Sequence, residues 1–196
     1  AIPFLQEAQN YSLVVSMNSS YRKLVKNGIY SHITLAADPR STTFDGYHNQ
    51  AANETFLICP FFVHPKVVTH FFPNIFTWQN ANVLIDQIRK QLKLPSGTAL
   101  SEQGTVAACI GDLAGLLGCK RVCLVGQDLA VTNEGQTHTS DSFYRDQGIL
   151  FMDLSDCRTV PGNTLEKVYV ESKLFVYLKT FNALVKRFSN IEFINT

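Results

Sequence analysis

Residues 12–39 read SLVVSMNSSYRKLVKNGIYSHITLAADP. Ser12–Met17 is apolar enough for a buried strand, and Asn18-Ser19-Ser20 supplies side chains that cap a helix start. Tyr21–Lys26 then reads as a short helix that Gly28 ends. Ile33–Ala37 is a second strand, and it stops at Asp38-Pro39-Arg40. Two strands joined through a helix pair parallel, because a parallel neighbour needs a crossover rather than a hairpin. This unit therefore predicts an α/β fold.

The rest of the chain extends the pattern. Ser41–Asn53 is polar and rich in turn formers, so it reads as a loop. Thr55–Cys59 is a third strand, ended by Pro60. Val67–Phe72 is a further strand candidate, Pro73–Gln79 reads as irregular, and Val83–Leu92 as a short helix or equally as part of a mobile flap. Gly104–Leu117 is predicted helical, because Val106, Ile110, Leu113 and Leu117 recur at helical spacing. Gly111 and Gly115 lie one turn apart on it and leave room for a close neighbour. Arg121–Val125 is a strand ending at Gly126, Glu171–Phe188 the longest helix, and Ile191–Ile194 a last strand. Gln127–Gly148 has almost no periodic apolar signal, and a connection that long in a compact domain is usually functional or disordered. Helices alternating with apolar strands predict a parallel sheet with helices on both faces, in one Rossmann-like domain over residues 1–196.

Composition excludes several function classes. The chain has 17 Lys and Arg against 16 Asp and Glu, and no basic run, so a nucleic-acid partner is not expected. No apolar run approaches the roughly 20 residues that span a bilayer. No basic-then-apolar leader opens the chain, whose start, Ala1-Ile2-Pro3, reads as the middle of a longer protein. The five cysteines are odd in number and follow no disulfide or zinc spacing, which predicts buried reduced thiols and a cytoplasmic location.

In parallel α/β sheets ligands bind beyond the carboxyl ends of the strands. That rule selects Asn18-Ser19, Asp38-Pro39-Arg40 and Gly126-Gln127-Asp128. Glycine lets the chain turn sharply out of a strand and lets a ligand approach the backbone. Gln127 both donates and accepts hydrogen bonds, and Asp128 accepts from a hydroxyl or holds a cation; it serves equally well as a turn cap. Thr137-His138 follows in the long loop, where a histidine exchanges a proton near neutral pH or is simply a surface residue. Gly104-Thr105 opens a helix, where free N–H groups favour an anion. No Gly-x-Gly-x-x-Gly, P-loop or Gly-x-Ser-x-Gly is present, and no metal-ligand spacing stands out.

The runs Gly104-Thr105-Val106-Ala107, Leu117-Gly118-Cys119-Lys120 and Leu124-Val125-Gly126-Gln127-Asp128-Leu129-Ala130, with Thr137-His138 downstream, resemble one family. It is the domain shared by bacterial motility accessory factors and archaeal 6-hydroxymethylpterin diphosphokinases. The resemblance extends through Asn27-Gly28-Ile29 to Ala37-Asp38-Pro39 and through Lys173–Thr196. It implies a fold similar to bacterial sialyltransferases. It also implies transfer of a nonulosonic, sialic-acid-like sugar from a CMP-activated donor to Ser or Thr of flagellin, with no cofactor required. The archaeal branch implies instead transfer of diphosphate from ATP to a pterin alcohol with magnesium. A third expectation is a non-catalytic module that binds flagellin. The family's Gly-x-Gly-Pro-Ser loop is not found in Ala1–Ser20, so the sequence reads as a fragment of a longer chain.

On the glycosyltransferase resemblance, Asn18, Ser19, Asp38, Gln127 and Asp128 hold the nucleotide sugar, and Gly126 and Thr137 are counted with them as substrate- or nucleotide-binding. Gly104 and Thr105 meet a phosphate or the sugar carboxylate. His138 is the base that deprotonates the acceptor, and Asp128 is counted with it as catalytic. On the kinase resemblance Asp38 and Asp128 hold magnesium, a hard cation that takes oxygen ligands.

Overall fold

Val15–Met17 (β1) and Ile33–Leu35 (β2) pair in parallel, Val15 against Ile33 and Met17 against Leu35, with Asn18–Lys26 (α2) as the crossover. This is the unit expected from residues 12–39. In the computed structural model, residues 1–50, 52, 54–80, 83–93, 97–101, 104–138, 151–163 and 165–196 are described. They fall into two compact units, Ala1–Glu102 and Gln103–Thr196.

The first unit opens with Ile2–Ala8 (α1) and adds Phe56–Pro60 (β3), Pro65–Phe71 (α3), Ile75–Asn80 (β4), Val83–Gln91 (α4) and Ala99–Leu100 (β5). The five strands are all parallel and lie in chain order, β1-β2-β3-β4-β5. Parallel strands in chain order with right-handed crossovers carry their helices on one face, which corrects the expectation of helices on both faces for this unit. That face holds the core: Tyr21 of α2, Leu57 and Cys59 of β3, Val67 and Phe71 of α3, and Tyr47. The rings of Tyr21, Tyr47 and Phe71 meet edge to face at 5.0–5.6 Å between centroids. The buried Tyr47 hydroxyl shares a hydrogen bond of 3.1 Å with Thr34 on β2, so its polar tip is satisfied. On the opposite face Phe56 and Phe76 stay exposed, 5.6 Å apart.

Three further expectations about this unit are corrected. Val67–Phe71 is helix, not strand. His64 caps it by accepting from the Lys66 N–H at 3.3 Å, Pro65 occupies the first turn, and Val67 and Phe71, four apart, are the buried pair. The β-branched run Val67-Val68-Thr69 suggested a strand, but burial at helical spacing overrides propensity. Ile75–Asn80, expected to be irregular, is strand β4, inserted between β3 and β5. The polar Ser41–Asn53 stretch, expected to be a loop, contains a 3-10 turn at Ser41–Gly46. Its Gly46 lies on the Asn18 carbonyl, where any Cβ would collide.

The second unit contains Cys109–Leu116 (α5), Arg121–Leu124 (β6), Arg158–Val160 (β7), Val168–Val170 (β8), Ser172–Arg187 (α6) and Glu192–Asn195 (β9). β6 pairs with β9 in parallel, and β7 with β8 antiparallel, a hairpin with no clear signal in the sequence. The helix expected over Gly104–Leu117 is shorter: a 3-10 turn at Val106–Ala108 leads into α5. α6 buries Phe181 and Leu184, with Phe188 at its end, and Leu184 and Phe188 lie on Gly111 of α5. The close approach predicted from the Gly111–Gly115 pair is therefore real at Gly111. Asp112 of α5 and Arg187 of α6 form an ion pair at 3.1 Å.

Candidate functional site

In the first unit the parallel register sets Asn18 and Asp38 at the same end of the sheet, just beyond the carboxyl ends of β1 and β2. Asn18 and Ser19 are half-buried in the first turn of α2. The cap itself is Met17, whose N–H donates to the Ser20 hydroxyl at 3.1 Å, so Asn18 is a helical residue and not the expected cap. Asp38 is engaged by its neighbour. Its carboxylate accepts the Arg40 backbone N–H at 2.9 Å and the Arg40 Nε at 2.9 and 3.0 Å. This is turn chemistry, and it places a guanidinium and a carboxylate together beyond β2.

In the second unit Gly126 ends β6 with φ +67 and open space where a Cβ would stand. The turn requires that left-handed conformation, which is why glycine is there. Gln127 follows half-buried and Asp128 exposed. Leu129 also adopts a positive φ of 50, uncommon for a branched side chain. The chain is then tied down: the Val131 N–H donates to the Tyr169 carbonyl at 2.8 Å, extending the β7–β8 pair by one bridge. A turn at Thr132–Gly135 reverses it, with the Thr132 hydroxyl accepting from the Gln136 N–H at 3.1 Å. Gly135, at φ +81, lies on the Met152 carbonyl.

Thr137 and His138 end this described stretch. The Thr137 hydroxyl and His138 Nδ1 share a hydrogen bond of 3.0 Å, and the Gln136 side-chain amide donates to the His138 carbonyl at 2.5 Å. Thr137 thus orients the imidazole, Gln136 holds the His138 backbone, and the residue is half-buried. Residues 139–148, the remainder of the long loop read from the sequence, lie outside the described residues. Gly104 has φ +88 and Thr105 is extended at the start of the 3-10 turn.

The second unit therefore brings Gly126, Gln127, Asp128, Thr137 and His138 onto one anchored loop, and holds Gly104 and Thr105 at the head of the α5 region. Asn18, Ser19 and Asp38 belong to the first unit. The sequence reading did not select Gln136, which holds His138, or Tyr177, whose ring would stand 3.5 Å from a Cβ at 104. Lys173, one turn before Tyr177, sets its ammonium 5.8 Å from that ring centre. The i,i+4 spacing of Lys173 and Tyr177 was the available signal, masked by the stronger apolar stripe of the same helix.

All five cysteines are free thiols. Burial pushes the Cys59 thiol up to about 11, which keeps it protonated. Among the described residues no cluster of three or more His, Cys, Asp or Glu is arranged for a metal ion, and no helix is long and apolar enough to cross a membrane.

Comparison with known proteins follows the same lines. The sequence pattern described as 6-hydroxymethylpterin diphosphokinase MptE-like matches residues 1–134. A search of curated protein sequences gives no match. Among solved structures, the MAf glycosyltransferase from Magnetospirillum magneticum AMB-1 superposes with a TM-score of 0.76 at 16% identity. The match covers 100% of this chain and 31% of that one, so the chain spans about a third of the length of that protein. The likeness establishes the α/β parallel-sheet fold.

Proposed function

Because the chain belongs to the 6-hydroxymethylpterin diphosphokinase MptE-like family, we propose that it is the nucleotide-handling part of a transferase, and specifically of a glycosyltransferase. The donor is a CMP-activated nonulosonic acid and the acceptor a Ser or Thr hydroxyl of flagellin. The observation that carries the choice is the fold shared with a glycosyltransferase over the whole chain. The anchored loop from Gly126 to His138 supports it. A histidine whose ring is bonded by Thr137 and whose backbone is held by Gln136 suits general-base work.

In this reading Gln127 and Asp128 bind the donor where β6 ends, and Gly126 gives it access to the backbone. Thr105 and the N–H groups that follow it receive a phosphate or the sugar carboxylate. Asn18, Ser19 and Asp38 are separate ligand-binding candidates of the first unit. His138 takes the proton of the acceptor hydroxyl as the oxygen attacks the anomeric carbon, and CMP leaves with the bonding pair. The cytoplasm, where nucleotide-activated sugars are made, is the matching location.

The family's description favours one second reading, diphosphate transfer from ATP to a pterin alcohol. Magnesium binds through one or two carboxylates plus substrate phosphates, and exposed Asp128 suits that role. Asp38 is already held by Arg40.

Ligand-dependent melting separates the readings, since a ligand that binds only the folded state raises Tm. CMP should raise Tm with or without magnesium. A rise with ATP only when magnesium is present would replace the proposal with the diphosphokinase. In the full-length protein, His138→Ala should abolish transfer and leave the CMP shift intact. A CMP shift without any transfer by the unaltered protein would point to a flagellin-binding module.

A further inference from the structure

The amino-terminal half of α6 and the adjacent β7 carry cations that form no ion pair with a described carboxylate. The Arg158 guanidinium lies 4.4 Å from the centre of the Phe175 ring, and the Lys179 ammonium 4.7 Å from the same centre. The two positive groups are therefore no more than about 9 Å apart, within roughly one Debye length at physiological salt. β7 brings Arg158 there: it pairs with Val170 on β8, two residues before the first residue of α6. Arg158 Nη2 donates to the Ser172 hydroxyl at 3.4 Å. No carboxylate of the described residues forms an ion pair with Arg158, Lys173 or Lys179.

We propose that Arg158 and Lys179, held on the ring of Phe175, form with Ser172 a binding site for a phosphoryl group. An arginine has five N–H donors and a lysine three, and here one of them is used within the protein. Stacking on an aromatic ring orders two long side chains before the ligand arrives, which reduces the entropy cost of binding. The guanidinium fork takes two oxygens of one phosphoryl group, and the ammonium adds a point charge. The edge of an aromatic ring is its positive part, so an anion beside Phe175 meets no opposing charge from it. This site goes beyond the donor-binding role given to the Gly126–His138 loop, and it stands whichever sugar or acceptor that reading names.

The phosphoryl group belongs either to a nucleotide or to free diphosphate, and calorimetric titration of the full chain with CMP and with inorganic pyrophosphate distinguishes them. Pyrophosphate, CMP or both should bind, more tightly at low salt. Arg158→Gln and Lys179→Gln should each weaken that binding about tenfold, the loss expected for one charge-assisted contact. Both residues are exposed, so Tm should not change. Lys179→Arg should restore affinity, and Lys186→Gln, an exposed lysine in the last turn of α6, should leave it unaltered. No binding of either probe, or binding that neither glutamine variant weakens, overturns the proposal. Neither outcome bears on the His138-dependent transfer test, so the two readings fail separately.

Discussion

Phe188 lies directly on Gly111, so that a Cβ at 111 would stand 2.7 Å from its ring and 2.8 Å from Leu184. That contact fixes the approach of α5 and α6. Gly111→Ala should destabilise the second unit by about 1–3 kcal/mol through overpacking, partly offset by about 1 kcal/mol of helix propensity. At Gly115 the nearest atom to an added Cβ is 3.5 Å away, an ordinary contact. Gly115→Ala should therefore be neutral or stabilising by up to about 1 kcal/mol. Urea midpoints of the two variants measure this; equal shifts would show that the helices are not packed through Gly111.

The two glycines of the candidate loop should differ as well. Gly126 has a positive φ and open space, so Gly126→Ala costs only backbone strain, about 1 kcal/mol. Gly135 has a positive φ and the Met152 carbonyl in the way, so Gly135→Ala should cost at least about 2 kcal/mol. Loss of CMP binding in a Gly126→Ala protein that is still folded would mark the glycine as a ligand position. Thermal melts with and without CMP decide it.

Acid should weaken the first unit before its carboxylates titrate. Burial, and then the neighbouring His48, lower the pKa of His70, whose Nε2 is buried without a hydrogen-bond partner. The unfolded chain therefore takes up a proton near pH 6.5 that the folded chain resists. Stability is full above that value and falls as the pH drops through it towards the lower folded pKa. Asp86, held at about 2 by Lys90 and Arg89, acts only below about pH 4. Denaturation midpoints at pH 8, 6.5 and 5 should decline, and His70→Phe should flatten that decline. A slope unchanged in the variant would assign it to other groups.

Thiol reactivity should follow burial. Cys123 is exposed, whereas Cys59 and Cys109 are buried. At pH 8 a water-soluble alkylating reagent should label Cys123 in the folded protein, and Cys59 only on unfolding, because its raised pKa leaves little thiolate. Mass spectrometry of the labelled peptides reads this directly, and rapid labelling of Cys59 would contradict its place in the core.

Much of the fold was legible in local pattern. Strands β1, β2, β3 and β6 are apolar runs bounded by turn formers, and α6 shows a helical stripe over four turns. Periodicity failed where elements are short: Pro65–Phe71 has too few residues to separate period 3.6 from period 2, and β7 and β8 hold three residues each. Of the candidate site, the turn at Gly126 was legible because glycine at a strand end readily takes the left-handed conformation a sharp turn needs. The bonds that hold His138 were not, since Gln136 and Thr137 look like any polar loop residues until the Thr132–Gly135 turn folds them back.

The sequence by itself determined the parallel α/β architecture and which residues follow its strand ends, because hydrophobic periodicity and turn chemistry are local properties of the chain. Only the tertiary structure decided that Asp38 is bound by Arg40, that Gly111 serves Phe188, and that Arg158 meets Lys179 on one ring. Arg158 and Lys179 are 21 positions apart in the sequence, and a strand pairing with no sequence signature brings them together. Long-range contacts follow from packing many side chains at once, and no local window of residues contains that information.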